Sequence, residues 1–127
     1  MIIGIGIDLV KVERVERAVA RWSDGFTKRI FTEGELEYCL RQKRPGLHLA
    51  ARIGVKEAVM KAFGTGLSGG VRWKDIEVVR DEKGKPGVWL SGRLGDMATE
   101  MGVSETLVSF SHDTGYAVAQ AVLMGER

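Results

Sequence analysis

Four short segments of this chain carry side chains whose types and spacing could do chemistry. Asp8 stands near the end of an apolar run in which glycines alternate with isoleucines. The other three segments are Lys56-Glu57 with Lys61, the loop Gly64-Thr65-Gly66, and Ser111-His112-Asp113. Carboxylates near lysines suit a hard cation together with phosphate, because Mg²⁺ prefers carboxylate oxygens, water and substrate phosphates as ligands.

Each segment taken alone also has an ordinary structural explanation. An aspartate at a strand end often forms a turn, and a Glu and a Lys four residues apart on a helix usually make a surface ion pair worth ~0.3–0.5 kcal/mol. A Gly-Thr-Gly after a helix often serves only to end it. Ser111 and His112 are adjacent, so on a strand they would point to opposite faces, which argues against a Ser-His nucleophilic pair.

Several other kinds of site are excluded by what the sequence lacks. It contains no Walker A loop, Rossmann fingerprint or CxxC motif. Its two histidines and one cysteine are too few for a typical structural zinc site. The single cysteine, Cys39, is expected to be a buried, inert thiol in a reducing compartment. With no signal peptide and no apolar run near ~18 residues, a cytoplasmic protein without membrane contact is expected.

The basic residues fall into two groups, although the formal net charge is only +2. One group, at roughly helical spacing, is Lys11, Arg14, Arg17 and Arg21, and the other is Arg41, Lys43 and Arg44. Either group could face an anionic ligand or an acidic partner, or could simply form a solvated surface. The net charge is too small to indicate a nucleic-acid-binding protein.

The elements that must position these groups alternate irregularly between strands and helices. Alternation and turn residues predict strands at Ile3–Leu9, Ile76–Val79, Val88–Leu90, Thr106–His112 and Tyr116–Met124. Apolar periodicity predicts helices at Val12–Trp22, Thr32–Leu40 and Leu47–Phe63, and a short one capped by Ser91 that runs to Met101. The expected fold is α+β, one domain over residues 1–127 with an antiparallel sheet packed against a long central helix.

Local patterns refine this expectation around the chemical residues. Gly4 and Gly6 leave one face of the first strand bare beside Asp8, so either a ligand or a packed helix can come close. Thr32 and Glu35 have the spacing of a capping box. Lys56 falls in the apolar sector of the long helix, which is unfavourable for an ammonium group unless it has a partner.

Taken in order, these segments resemble the motifs of the holo-acyl-carrier-protein synthases, which are small bacterial 4′-phosphopantetheinyl transferases. The matching residues are GIGIDLV at 4–10, Phe31-Thr32 with Glu35 and Tyr38, Arg52, Lys56-Glu57-Ala58, Lys61-Ala62, Gly64-Thr65-Gly66, Ser111-His112 and YAVA at 116–119. They span nearly the whole chain, which has a length usual for the family. One departure is Gly54-Val55, where the family usually has alanines, and a helical Gly costs ~1 kcal/mol relative to Ala.

The resemblance implies the fold of this family and its reaction. Members transfer the 4′-phosphopantetheine arm of coenzyme A to a serine of apo acyl carrier protein, releasing adenosine 3′,5′-bisphosphate, for fatty acid or polyketide biosynthesis. By this resemblance Asp8 and Glu57 would bind Mg²⁺, which bridges them to the pyrophosphate, and Lys61 would contact the transferred phosphate. The base that deprotonates the serine is either Glu57 or a metal-bound water.

The resemblance also implies residues that bind the two substrates. Those near the coenzyme A 3′-phosphate would be Lys43, Arg44 and His112, and those along the rest of the coenzyme A groove would be Arg52, Gly64, Thr65 and Gly66. The acidic recognition helix of the carrier protein would meet Arg14, Arg17 and Arg21. The small members of the family form trimers with active sites shared between neighbours, so a homotrimer is expected.

Two alternatives from other functional classes are weighed against this transferase. A non-catalytic module that binds coenzyme A or a carrier protein would keep Arg44, His112 and the glycine loop but would not need Asp8 together with Glu57. Both carboxylates are present, which favours the enzyme. A basic RNA-binding domain is disfavoured because the chain lacks interleaved aromatic residues and a strong net charge.

Overall fold

The computed structural model describes residues 1–126 as a mixture of helices and antiparallel strands, which confirms the α+β expectation. The elements are β1 (Ile2–Lys11), α1 (Val12–Trp22), α2 (Asp24–Ile30), α3 (Glu33–Leu40), α4 (Pro45–Phe63), β2 (Ile76–Arg80), β3 (Pro86–Leu90), α5 (Gly92–Met101), β4 (Val103–His112) and β5 (Tyr116–Gly125). A single 3₁₀ turn, Trp73–Asp75, precedes β2. Within residues 1–126, no helix has the length and apolarity needed to cross a membrane.

The longest helix, α4, packs across a three-stranded sheet in the order β1-β5-β4. The inward face of β5 is built from small side chains and one leucine, all buried: Ala117, Ala119, Ala121 and Leu123. These small residues allow the helix to approach the sheet closely. Strands β2 and β3 form a separate antiparallel pair.

The glycines of β1 are required by this close helix packing. A Cβ built on Gly6 would overlap the carbonyl oxygen of Ala58, and one on Gly4 would overlap that of Ala62. The helix explanation of the bare strand face is therefore confirmed. Gly54 has a similar role on the helix side, since an added Cβ would lie 3.3 Å from the Cβ of Ala119.

The opposite face of β1 carries aliphatic side chains that the rest of the chain does not cover. Ile5, Ile7 and Leu9 are 64%, 62% and 65% exposed. Their cross-strand partners on β5 are Val122, Gln120 and Val118. This apolar strip, Ile5 to Leu9, is larger than the scattered single side chains that monomeric proteins usually expose.

The structure extends the predicted elements and adds one. The helix α2 was not predicted from the sequence. Asp24–Ile30 is short, contains Gly25 and has only two buried residues, so it shows no clear helical periodicity. The long helix begins earlier than predicted, at Pro45, in the first helical turn where proline is favoured. Ser91 lies at the N-cap position of α5 but makes no capping hydrogen bond through its side chain.

Candidate functional site

Asp8 and Lys61 meet where β1 passes the last turns of α4. The Lys61 Nζ donates hydrogen bonds to Asp8 Oδ1 at 2.8 Å and to the Ile7 carbonyl oxygen at 3.0 Å. Asp8 is only 8% exposed, whereas Lys61 is exposed. The hydrogen bond from Lys61 to Asp8 raises the pKa of this lysine. The ordinary structural explanation of the spacing was an ion pair between Glu57 and Lys61, but the ion pair of Lys61 in the structure is with Asp8.

The neighbouring carboxylate, Glu57, lies one helical turn before Lys61 and is half-buried. Burial is the main cause that raises its pKa to about 7; Asp8 adds to this and Lys61 opposes it. Asp8 and Glu57 line the same cavity, which has a volume of about 270 Å³. Two elements distant in sequence therefore place two carboxylates on the wall of one cavity. Ionising both carboxylates costs free energy unless a cation lies between them.

The donor set fits a hard divalent cation. Asp8 Oδ2 is buried and has no hydrogen-bond partner among residues 1–126, which is unusual for a carboxylate oxygen. In the described part of the chain no three His, Cys, Asp or Glu side chains are grouped to hold a metal ion. An ion here would take two protein carboxylates and complete its coordination with water and phosphate oxygens, which is the habit of Mg²⁺.

The buried Lys56 finds the partner that its apolar position requires. Its Nζ lies 2.8 Å from Glu35 Oε1 and donates to the carbonyl oxygens of Ile76 at 2.6 Å and Trp73 at 3.2 Å. The other Glu35 oxygen accepts from the Val78 N–H at 2.7 Å. Glu35 thus closes its own capping box and also neutralises Lys56. The pair ties α3, α4 and β2 together directly beside Glu57.

Two concave surfaces open on either side of Glu57. The first, named the α1 cavity, contains Asp8, Glu57, Arg14, Phe26 and Ile53 among its lining residues. The second, named the Trp73 groove, has about the same volume, 270 Å³. Its lining is Glu57, Met60, Lys61, Gly66, Leu67 and Trp73.

The glycine loop after α4 forms one edge of the Trp73 groove. Gly64 has a φ of 80° and ends the helix, with its N–H donating to the carbonyl oxygens of Met60 and Lys61. Gly66 also has a positive φ, 58°, a conformation that favours glycine. The Thr65 Oγ1 donates a hydrogen bond to the Gly66 carbonyl oxygen within the loop. The loop therefore ends the helix, as the sequence predicted, and also forms a wall of the groove.

The cations expected near the 3′-phosphate lie at the other end of α4. Arg44 donates to both oxygens of Glu16, at 2.9 and 2.8 Å, and to the Thr114 carbonyl at 3.1 Å. This joins the start of α4 to the turn that follows His112, while Lys43 is exposed nearby in sequence. Glu57 lies thirteen positions after Arg44, about 20 Å along a helix axis. The structure does not bring these cations to Glu57 of the same chain.

Arg52, which was expected along the coenzyme A groove, is buried. It is 2% exposed, with its guanidinium carbon 4.5 Å from the Tyr38 ring centroid and 5.6 Å from that of Phe110. Its Nε has no hydrogen-bond partner among the described residues, and neither has the buried Nδ1 of His48. The His48 ring also contacts the His112 ring, 5.4 Å between centroids. Arg52 also donates to the His48 carbonyl oxygen at 3.4 Å, so its charge lies beneath the surface beside His48.

The three arginines of α1 are exposed, as their spacing predicted. Arg17 pairs with Glu13 at 2.8 Å and Arg21 lies 5.0 Å from the Trp22 ring centroid. Arg14 lines the α1 cavity together with Asp8 and Glu57. The basic face of α1 therefore borders the carboxylate site.

Two residues that shape this site were not singled out for it from the sequence. Trp73 lies in the 3₁₀ turn and is brought to Glu57 only by the packing of that turn against α4. Glu35 was recognised as a cap but not as the partner of Lys56. A buried lysine in an apolar helix sector signals that a partner carboxylate exists, but not which one.

Comparisons with known proteins show which family and fold the chain as a whole is similar to. Residues 4–121 match the 4′-phosphopantetheinyl transferase superfamily. The chain is 44% identical over 123 residues to a holo-[acyl-carrier-protein] synthase of Geotalea daltonii, covering 97% of this chain and 98% of that protein. Its fold is similar to a synthase of the same name from Neisseria meningitidis, with a TM-score of 0.89, 34% identity and coverage of 98% and 99%.

A third similar protein is the holo-(acyl-carrier-protein) synthase of Bacillus anthracis, whose structure was determined in complex with CoA (3′,5′-ADP). The TM-score is 0.80 at 35% identity, and the alignment covers 99% of both chains. Sequence pattern, relatives and fold agree over almost the whole chain. The chain therefore belongs to the 4′-phosphopantetheinyl transferase superfamily and, within it, to the holo-[acyl-carrier-protein] synthases.

Proposed function

We propose that this protein transfers the 4′-phosphopantetheine group of coenzyme A to a serine of apo acyl carrier protein in an Mg²⁺-dependent reaction. The observation that carries the proposal is that Asp8 and Glu57 line one cavity and that Lys61 donates a hydrogen bond to Asp8. The similar Bacillus anthracis synthase was determined with CoA (3′,5′-ADP), which supports the choice of donor. A role in fatty acid or polyketide biosynthesis and a cytoplasmic location are parts of the proposal.

The chemistry is an in-line displacement at the β-phosphorus of the pyrophosphate. The serine Oγ forms a bond to this phosphorus while the bond to the oxygen bridging the two phosphates breaks, so that adenosine 3′,5′-bisphosphate leaves. Mg²⁺ held by Asp8 and Glu57 would supply charge neutralisation and orientation of the pyrophosphate. Lys61 would stabilise negative charge on the transferred phosphate, and Glu57 is the protein's candidate acceptor for the serine proton.

The nucleotide end would be completed by groups from a neighbouring chain. Only the α-phosphate and one ribose separate the β-phosphate of coenzyme A from its 3′-phosphate, a shorter reach than the about 20 Å from Glu57 to Arg44 along α4. Lys43, Arg44 and His112 would therefore bind the 3′-phosphate of a coenzyme A whose pyrophosphate lies at Asp8 and Glu57 of the adjacent chain. Arg52 would contribute positive charge along the rest of the coenzyme A groove.

The apolar strip on β1 supports the same arrangement. Ile5, Ile7 and Leu9 project from the sheet on the side away from α4 and are more than half exposed. Burial of this strip against identical strips of neighbouring chains would stabilise an oligomer by the hydrophobic effect. A homotrimer with shared sites is the assembly that we propose.

A transfer assay tests the reaction directly. Purified protein is incubated with coenzyme A, Mg²⁺ and apo carrier protein, and the carrier is weighed by mass spectrometry. A mass gain of one phosphopantetheine is expected, and it should be lost with Asp8→Ala or Glu57→Ala although both variants stay folded. Binding of coenzyme A without transfer to any tested carrier would instead support the non-catalytic binding module.

A further inference from the structure

Glu16 of α1 is the acidic partner of Arg44, one of the cations proposed for the 3′-phosphate of coenzyme A. The Arg44 Nε and Nη2 donate to the two carboxylate oxygens of Glu16 at 2.9 and 2.8 Å. A two-bond contact of this kind is the strongest and most directional arrangement of an arginine with a carboxylate. The hydrogen bond from Arg44 lowers the pKa of Glu16, so the carboxylate is ionised at neutral pH.

The Glu16 side chain fits closely against the first turn of α4. Gly46 lies two residues after Arg44 and is buried. A Cβ built on Gly46 would overlap the Cγ, Cδ and Oε2 atoms of Glu16, so a larger residue there would displace this side chain. The carboxylate therefore has a defined place in the fold beside the guanidinium.

The third hydrogen bond of Arg44 reaches the turn that follows His112. The Arg44 Nη1 donates to the Thr114 carbonyl oxygen at 3.1 Å. This turn is held by its own side chain, because Asp113 Oδ1 accepts from the Gly115 N–H at 2.7 Å. The second anchor therefore fixes the plane of the guanidinium relative to the turn between β4 and β5.

These contacts leave part of the guanidinium free for an anion. An arginine has five N–H groups, and the three hydrogen bonds of Arg44 use one each on Nε, Nη1 and Nη2. Within residues 1–126, one N–H on Nη1 and one on Nη2 therefore have no partner, and the side chain is 41% exposed. A phosphate can approach Arg44 without displacing Glu16.

Glu16 has two opposing effects on such a phosphate. Its negative charge reduces the attraction, but it also holds a side chain that would otherwise occupy many rotamers, so less entropy is lost on binding. The bidentate contact already neutralises the carboxylate, and solvent and salt screen the remaining repulsion at this exposed position. The exposed Lys43 makes no ion pair within residues 1–126 and supplies uncompensated positive charge. We expect the effect on orientation to be the larger one.

We propose that Glu16 is a positioning residue for the 3′-phosphate of coenzyme A and that it acts by holding the Arg44 guanidinium in its binding orientation. This inference rests on the proposed function and adds a residue that contacts neither the metal nor the substrate. Exposed ion pairs contribute little to stability, so the pair should affect ligand binding more than folding.

Two ligands that differ only in the 3′-phosphate test this role. Dissociation constants for coenzyme A and 3′-dephospho-coenzyme A are measured by calorimetry in Mg²⁺ for Glu16→Ala and the wild type. The variant should bind coenzyme A about fivefold more weakly, because Arg44 must then be ordered by the phosphate itself. Its affinity for 3′-dephospho-coenzyme A should stay within about twofold. Glu16→Gln should recover most of the loss, because its amide oxygen still accepts a hydrogen bond from Arg44.

Matched variants separate positioning from folding. Glu13→Ala is the control, because Glu13 is an exposed glutamate that pairs with an arginine on the same helix, and it should change neither constant. Gly46→Ala keeps Glu16 but pushes its side chain away, so it should reproduce the selective loss of coenzyme A affinity. If Glu16→Ala does not fold, Gly46→Ala alone decides.

A double variant tests whether Glu16 acts through Arg44. In an Arg44→Ala background, adding Glu16→Ala should change the dissociation constant of coenzyme A by less than about twofold, because no guanidinium remains to be positioned. An effect as large as that in the wild type would overturn the inference.

The remaining outcomes separate this inference from the proposed function. Tighter binding of coenzyme A by Glu16→Ala would overturn the inference and make Glu16 a competitor of the phosphate. Equal weakening of both ligands would also overturn it, since a general structural change does not distinguish them. A wild type that shows the expected variant effects but never modifies a carrier would overturn the proposed function alone.

Discussion

The protonation state of Glu57 makes metal binding depend on pH. Burial raises its pKa to about 7, so at pH 6 most molecules hold a proton on the carboxyl that a metal ion requires. Metal binding must displace this proton, and the affinity therefore rises as pH rises.

We expect the apparent Mg²⁺ affinity to increase about tenfold from pH 6 to pH 8, the range over which a group with a pKa near 7 ionises. Calorimetric titration of the metal into the protein measures this. Glu57→Gln is the matched control, because it cannot ionise and should bind the metal weakly with a flat pH profile. A wild-type affinity that does not change between these pH values would contradict the role of Glu57 as a ligand.

The ion pair of Lys56 and Glu35 affects stability rather than chemistry. Both side chains are fully buried, so loss of one partner leaves the other charged and unpaired. Lys56→Met should reduce the free energy of unfolding by about 3–5 kcal/mol, measured by denaturant titration. The control Lys74→Met, at an exposed lysine, should cost less than about 0.5 kcal/mol. A similar small loss in Lys56→Met would show that the pair does not hold α4 in place.

At the scale of the elements, the contact between β1 and α4 sets the distance between Asp8 and Glu57. Gly6→Ala places a Cβ on the Ala58 carbonyl oxygen, so the helix must move away from the strand. We expect a loss of at least about 2 kcal/mol in stability and a lower kcat. Gly25→Ala on α2 is the control, since an added Cβ there meets nothing within 4 Å. Equal stability of the two variants would contradict the close packing.

The basic face of α1 is a separate element-scale feature. If Arg14, Arg17 and Arg21 meet an acidic carrier, raising the salt concentration should raise the KM for the carrier more than the KM for coenzyme A, because exposed charges are screened. Replacing all three by Gln should raise the carrier KM and leave the coenzyme A affinity unchanged. Arg93→Gln on α5 controls for loss of one positive charge. Equal salt sensitivity of the two KM values would count against this surface.

At the scale of the whole molecule, the exposed strip on β1 and the distance along α4 are the two observations behind the proposed oligomer. Ile7→Arg should convert an oligomer into a species of one 14.0 kDa chain by light scattering, because a buried unpaired charge opposes association. Asp96→Arg on α5 is the control for adding an arginine. The monomeric variant should be inactive, and full activity in it would refute the shared site.

Mixed oligomers test the sharing itself. Glu57→Gln and His112→Ala variants should each be nearly inactive alone, since each lacks one half of every site. Co-expression should restore part of the activity, because some sites then combine an intact Glu57 with an intact His112 from different chains. Activity no higher than that of the separate variants would indicate that each site is built within one chain.

Local sequence determined much of the site, because strand alternation, helical spacing and helix caps each depend on only a few neighbouring residues. Alternation along β1 aims Asp8 at the helix, the spacing of Glu57 and Lys61 puts both on one side of α4, and Gly64 ends that helix in a left-handed conformation. The capping box at Thr32 and the burial of Cys39 also follow from short-range pattern and composition, and burial raises the pKa of this thiol to about 11. Each of these features depends on backbone geometry that neighbouring residues dictate.

Tertiary structure alone decided which distant groups meet. Lys61 bonds to Asp8 rather than Glu57, Lys56 pairs with Glu35, and Trp73 forms a groove with Glu57. The same packing pairs Arg44 with Glu16 and leaves it far from Glu57 of its own chain. Such contacts depend on how α4, β1 and the 3₁₀ turn pack in three dimensions. Periodicity reports only which face of an element is apolar, so it predicted a buried lysine and a bare strand face but not what lies opposite them.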